Sequence, residues 1–88
     1  MAETLQFTKS GEAEICELSL SATSIIEVNR TKSGFFTIYG SLEGMEPTVI
    51  YTSPYNRNLI FKLDIPEFVT LRMVSESHVT NAKIQALG

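Results

Sequence analysis

The chain is short of the residues that do chemistry. Its 88 amino acids include one His (His78), one Cys (Cys16), one Asp (Asp64) and no Trp. A single thiol cannot close an intrachain disulfide. His78 and Cys16 together fall short of the four ligands that a closed zinc site takes, so no metal is expected. No nucleophile–base pair can be drawn, which argues against an enzyme. The glycines (Gly11, Gly34, Gly40, Gly44, Gly88) are spaced as turn formers and lack the GxGxxG or P-loop spacing of a nucleotide site, so no cofactor is indicated. No apolar run approaches the roughly 20 residues of a membrane-spanning helix. Positive charge is sparse and dispersed. Seven Lys and Arg (Lys9, Arg30, Lys32, Arg57, Lys62, Arg72, Lys83) face ten Asp and Glu, for a net charge of −3. None of them forms a block that would neutralise adjacent phosphates, and nucleic acid is not expected as a partner.

The first five residues, Met-Ala-Glu-Thr-Leu, have neither the basic nor the apolar region of a secretory signal. The expectation is a protein made in a cytoplasm and used or assembled there. The sequon Asn29-Arg30-Thr31 carries no weight without a secretion signal.

What is present is globular. Hydrophobic residues make up 43% and charged residues 19%, which excludes a disordered chain and leaves room for one domain over residues 1–88. A chain this small buries roughly 60–65% of its unfolded surface, so its margin is thin. A well-packed core or burial of a face against another subunit must supply the stability.

Helical periodicity is missing, while alternation and β-rich composition recur. Residues 4–8 read as a first strand with Leu5 and Phe7 on one face, and residues 9–11 as a turn. Residues 12–20 form a second strand whose apolar phase changes, from Ala13 and Ile15 to Cys16, Leu18 and Leu20. A period-2 strand cannot change its buried face without an irregularity, so a β-bulge is predicted near Ile15-Cys16. Strands follow at 24–30 (Ile26 and Val28 inward), 35–40, 48–52, 59–65 (ended by Pro66), 68–75 (Val69, Leu71 and Met73 on one face) and 79–87 (Ala82, Ile84 and Ala86 inward). Residues 31–34, 41–47, 53–58 and 76–77 read as turns and loops. Residues 80–87 read alternatively as a short helix. About eight strands at spacings near ten residues predict a single antiparallel β-sandwich, jelly-roll or Ig-like; a small barrel shares these signals.

Two segments carry a family resemblance. Residues 3–11 (Glu-Thr-Leu-Gln-Phe-Thr-Lys-Ser-Gly) and residues 65–84, in which a Pro-led strand, a Ser-rich turn and a Val-Thr-x-Ala strand follow one another, cover about a third of the chain. They resemble the opening and the closing strand pair of small β-sandwich proteins encoded among virion structural genes of tailed bacteriophages, especially those of gut Bacteroides-type hosts. The resemblance implies a virion accessory protein (capsid-decorating, head-fibre or tail-associated) that forms homo-oligomers or docks on a capsid or tail protein.

Among individual residues, His78 reads as a solvated turn histidine, since no second His exists and Glu76 is its nearest acid. Cys16 lies among Ile15, Leu18 and Leu20, beside Glu14 and Glu17, and reads as a buried structural thiol. Glu12, Glu14 and Glu17 read as an acidic solvent face or edge guard. The aromatic set is the candidate binding surface. Phe35 and Tyr39 share a strand face opposite to Phe36 and Ile38, which makes residues 35–40 apolar on both sides. Such a strand is either covered by something or part of an interface. Tyr51 and Tyr55 flank Ser53-Pro54 and, with Arg57 and Asn56, have the composition of a binding hot spot. Core packing of Tyr39 and Tyr51 is the bland alternative. A small carbohydrate-binding module centred on Tyr51, Tyr55 and Arg57 is the second functional reading, disfavoured by the absence of Trp.

Overall fold

A computed structural model describes residues 2–19, 22–42, 44–52, 56–64 and 70–87. Among the described residues nine strands make two antiparallel sheets: β1 (Glu3–Thr4), β2 (Thr8–Ser10), β3 (Ala13–Leu18), β4 (Ser24–Arg30), β5 (Phe36–Ser41), β6 (Thr48–Thr52), β7 (Leu59–Leu63), β8 (Thr70–Ser75) and β9 (Val79–Ala86). The four-stranded sheet has the order β1-β9-β4-β7, and the five-stranded sheet the order β2-β3-β8-β5-β6. With β1 and β2 counted as one broken strand, the first strand pairs with the last (β1·β9). The second then pairs with the seventh (β3·β8), the third with the sixth (β4·β7) and the fourth with the fifth (β5·β6). That nested pairing is the rolled-up double Greek key of a jelly roll.

The break in the first strand lies at residues 5–7, between a pairing with β9 in one sheet and a pairing with β3 in the other. The predicted single strand is therefore divided. Leu5 and Phe7 both turn onto the core as the chain crosses between the sheets. The predicted turn at residues 9–11 falls at residues 11–12, because Lys9 and Ser10 still pair with β3 and Gly11 takes the left-handed φ of 64° that the reversal needs.

One core joins the inner faces. Phe36, Ile38, Leu71, Met73 and Cys16 come from the five-stranded sheet, and Ile26, Val28, Leu59, Leu63 and Ala82 from the other. An aromatic chain crosses it. Phe36 lies 6.4 Å from Phe7 and 5.9 Å from Phe61, both tilted, and Phe61 stacks on Tyr51 at 5.0 Å.

The expected last strand is present, and two expectations are overturned: the bulge in the second strand and the inward Ala86 in the last. β3 holds an unbroken register with both neighbours, so no bulge exists at Ile15-Cys16. The phase of the strand is set by Glu14, Cys16 and Leu18, which point inward. Glu14 is tolerated there because it sits at the end of the sandwich, where its carboxylate accepts hydrogen bonds. The irregularities lie instead between Ile38 and Tyr39 in β5·β6 and between Asn29 and Arg30 in β4·β9. In β6 the extra residue is Ile50, which lets Ile50 and Tyr51 both reach the core. Residues 80–86 are strand rather than helix, because β9 is gripped between β1 and β4. Ala82 is buried there and Ile84 half-buried, while Ala86, at the strand end, stays exposed. The predicted features at Leu20, Ile65, Pro66 and Val69 lie outside the described residues.

Arg30 is the least expected member of the interior. Alternation along β4 turns Ser24, Ile26, Val28 and Arg30 to the same side, and all four are buried. The guanidinium uses its full set of donors. Nε donates to the Arg57 carbonyl (3.1 Å), Nη1 to the Phe35 carbonyl (3.1 Å) and Ser75 Oγ (3.3 Å), and Nη2 to the carbonyls of Gly34 (2.9 Å) and Asn56. Its carbon end also lies over the Phe36 ring, 5.6 Å from the centroid. Among the described residues no carboxylate lies within ion-pair distance of it. Burial pushes its pKa down, and nearby Glu76 opposes that shift. Removing the side chain strands several buried acceptors at once. Arg30→Met is expected to lower unfolding free energy by about 3 kcal/mol, and Arg30→Lys, which lacks the planar fork, by about 2 kcal/mol, in urea denaturation.

Candidate functional site

The molecule measures 31 × 31 × 20 Å, a thick disc whose two broad faces are the outer faces of the sheets. The outer face of the five-stranded sheet carries Phe35 and Tyr39. Pairing across that sheet aligns outward residues into rows. Thr8, Ile15, Val74, Thr37 and Thr52 make a central row without charge, closed at one end by a 3.2 Å hydrogen bond between the Thr37 and Thr52 hydroxyls. On one side runs Glu17–Arg72–Tyr39–Val49, in which Arg72 Nη2 and Glu17 Oε2 form an exposed ion pair at 3.3 Å. On the other side, one step further along the register, lie Ala13, Glu76 and Phe35.

The geometry of β5 makes this face. Phe36 and Ile38 are fully buried, so residues 35, 37 and 39 face out. Phe35 is 51% exposed and Val49 is 53% exposed, with Tyr39 half-buried between Arg72 and Val49. The backbone of Phe35 is fixed. Its carbonyl accepts from Arg30 and from the Glu76 N–H (3.0 Å), and its N–H donates to Glu76 Oε1 (3.2 Å). An exposed aromatic ring on a fixed backbone is a ready contact, since little freedom is lost when it is covered. No other described element of the chain covers this face, so the doubly apolar β5 has one side in the core and one side open.

The other candidate residues separate. Tyr51 projects from the inner face of the same sheet, where its ring stacks on Phe61. The sheet therefore lies between Tyr51 and Tyr39. The Arg57 side chain is exposed, while its carbonyl accepts from Arg30. Tyr55 lies outside the described residues. Ile15, Val74, Val49 and Arg72, which complete the face around Phe35 and Tyr39, were not singled out from sequence. Alternation in residues 68–75 sets Arg72 and Val74 opposite Leu71 and Met73. The phase change read at Ile15-Cys16, however, counted Ile15 on a buried face, an expectation the outward pairing Ile15–Val74 overturns, and nothing in the sequence says which strands stand side by side.

The titratable groups form one further cluster, at the rim. His78 is an exposed turn histidine, as expected, and it has an acidic partner. Its Nδ1 lies 2.8 Å from Glu14 Oε2, and Glu14 Oε1 accepts from the Val79 N–H at 2.9 Å. Glu14 thus ties β3 of one sheet to the start of β9 in the other. It is neither solvent-facing nor an edge guard, unlike exposed Glu12 and Glu17. The depression beside it, bordered by Thr4, Gln6, Thr80 and Asn81, holds about 170 Å³, below the roughly 300 Å³ of an ordinary small-ligand site. Cys16 is buried, and desolvation, then Glu17, raises its pKa away from reactivity. Among the described residues no three His, Cys, Asp or Glu side chains gather as a cation site.

No protein-family model matches the chain, and comparisons with curated proteins and with solved structures find no match.

The His78 hydrogen bond, then the Val79 N–H, lowers the Glu14 pKa. A depressed carboxylate contributes stability that is complete above the unfolded-state value, roughly pH 4.3, and is lost as pH falls through the folded-state value. Glu14→Gln should therefore destabilise the protein most near neutrality. The gap from wild type should narrow below about pH 4, as read by urea unfolding from pH 3 to pH 7.

Proposed function

We propose that this chain is a non-enzymatic structural accessory protein of a phage particle, acting by self-association and by docking on a larger capsid or tail surface. The observation that carries the reading is the open outer face of the five-stranded sheet, where Phe35, Ile15, Tyr39, Val74 and Val49 stand together. A domain of this size has little core to spare, and an exposed aromatic and β-branched face is a cost in water that burial against a partner removes. Each Å² of apolar surface covered is worth about 25 cal/mol before association costs are subtracted. The jelly-roll order of the strands supports the particle assignment by analogy, because viral capsid domains use it, and so does the resemblance at residues 3–11 and 65–84.

Jelly rolls also serve as lectins, which keeps a carbohydrate-binding module as the alternative. The aromatic rings that a sugar site needs on one surface are divided here, with Tyr51 turned inward onto Phe61 and Tyr39 on the far side of the sheet. Protein contact is the better supported use of the surface.

The test is mass in solution by size exclusion with light scattering across a concentration series. A stable oligomer is expected, and Phe35→Ser and Tyr39→Ser should each return it to monomer with the far-ultraviolet spectrum unchanged. A monomer at every concentration would remove self-association from the reading. Retention on a glycan array would then turn it toward carbohydrate.

A further inference from the structure

The open face has an internal symmetry of chemistry that selects a partner and a geometry. We propose that its occupant is a second copy of this chain, stacked outer face to outer face about a twofold axis that lies in the interface and runs across the strands along the row Ile15–Val74–Thr37. The inference rests on the self-association reading above and names the surface and the arrangement.

A closed pair needs a surface that is complementary to itself, with residue i meeting j and j meeting i. Under this axis each residue of the central row faces its own copy. That row carries no charge, so burying it strands none. Residues one row to either side, about 7 Å from the axis along the strand, exchange places. Phe35 then lies over Tyr39 of the second copy, and Glu76 over Arg72 of the second copy. Glu17 meets Ala13 of the second copy and keeps its own Arg72 beside it. Aromatic meets aromatic, anion meets cation, and no like charges face each other.

The competing twofold runs along the strands through β8, the central strand of the sheet. It places Arg72 over Arg72 and Glu76 over Glu76, and like charges directly opposed are strongly selected against in interfaces. The charges on the face therefore decide between the two axes. Size and shape agree. A broad face 31 Å across can supply the roughly 800 Å² per partner of a standard stable interface. Two sheets stacked in this way keep their strands near-aligned, as face-to-face sheets do.

The geometry is tested by cross-linking at one introduced cysteine with a two-carbon bismaleimide, which suits sheets about 10 Å apart. Thr37→Cys sits on the axis and should link to its own copy in high yield. Lys62→Cys, on the outer face of the other sheet, should not, and the wild type should stay unlinked because Cys16 is buried. Arg72→Glu, measured alongside, should weaken the dimer about tenfold or more by opposing Glu76, with thermal unfolding reporting that the fold is kept. A dimer by light scattering that links through Lys62→Cys and not through Thr37→Cys would overturn this face while leaving self-association intact. A monomer at every concentration would overturn both.

Discussion

The buried guanidinium of Arg30 is the constraint on which one end of the molecule depends. Three loops converge there, at residues 31–35, 56–58 and 76–78, and none has a regular ladder to satisfy its backbone. Arg30 answers with five donors to four carbonyls and a hydroxyl. The chain continues outward from that point. Ser75 Oγ donates to the Ser77 carbonyl at 2.7 Å, and Ser77 Oγ donates to the Lys32 carbonyl at 2.7 Å. The group is charged and lacks an ion-pair partner, which would be costly if its donors were idle. With all of them engaged and Phe36 beneath, the desolvation is offset by charge-assisted hydrogen bonds that a neutral side chain could not make.

The same convergence fixes the candidate docking face. Arg30 holds the Phe35 carbonyl, Glu76 holds its N–H, and Ser75 and Phe36 are paired residues on adjacent strands. The exposed ring of Phe35 thus stands on a backbone clamped from the interior. Glu14 does comparable work at the rim, fastening β3 to β9 across the gap between the sheets. The interior polar groups lie at the end of the sandwich, and the open apolar ones lie on its broad face.

Much of the secondary structure was legible because alternation is a direct record of burial. The bounds of β4 and β6 match the expected 24–30 and 48–52, and Leu59, Leu63, Leu71 and Met73 face inward as their spacing requires. The misreadings share a cause. Glu14 and Arg30 are polar residues at inward positions, and a rule that takes polar as outward fails at both. For Glu14 it produced a bulge that does not exist. For Arg30 it hid a core residue among seven scattered cations, although Ile26, Val28 and Arg30 share a parity that could have revealed it. The candidate face was half legible. Phe35 and Tyr39 announce a second apolar side of β5, but Ile15, Val74 and Val49 join them only through strand neighbours distant in sequence.

The pairing of the first strand with the last carries a temporal consequence. β9 lies between β1 and β4, so Glu3 finds its place only beside Ile84, and Ile26 gains its second neighbour at the same moment. The four-stranded sheet therefore cannot close on a nascent chain until residues 79–86 have been synthesised and released. Non-local topology of this kind makes folding slow and leaves apolar strands uncovered while it proceeds.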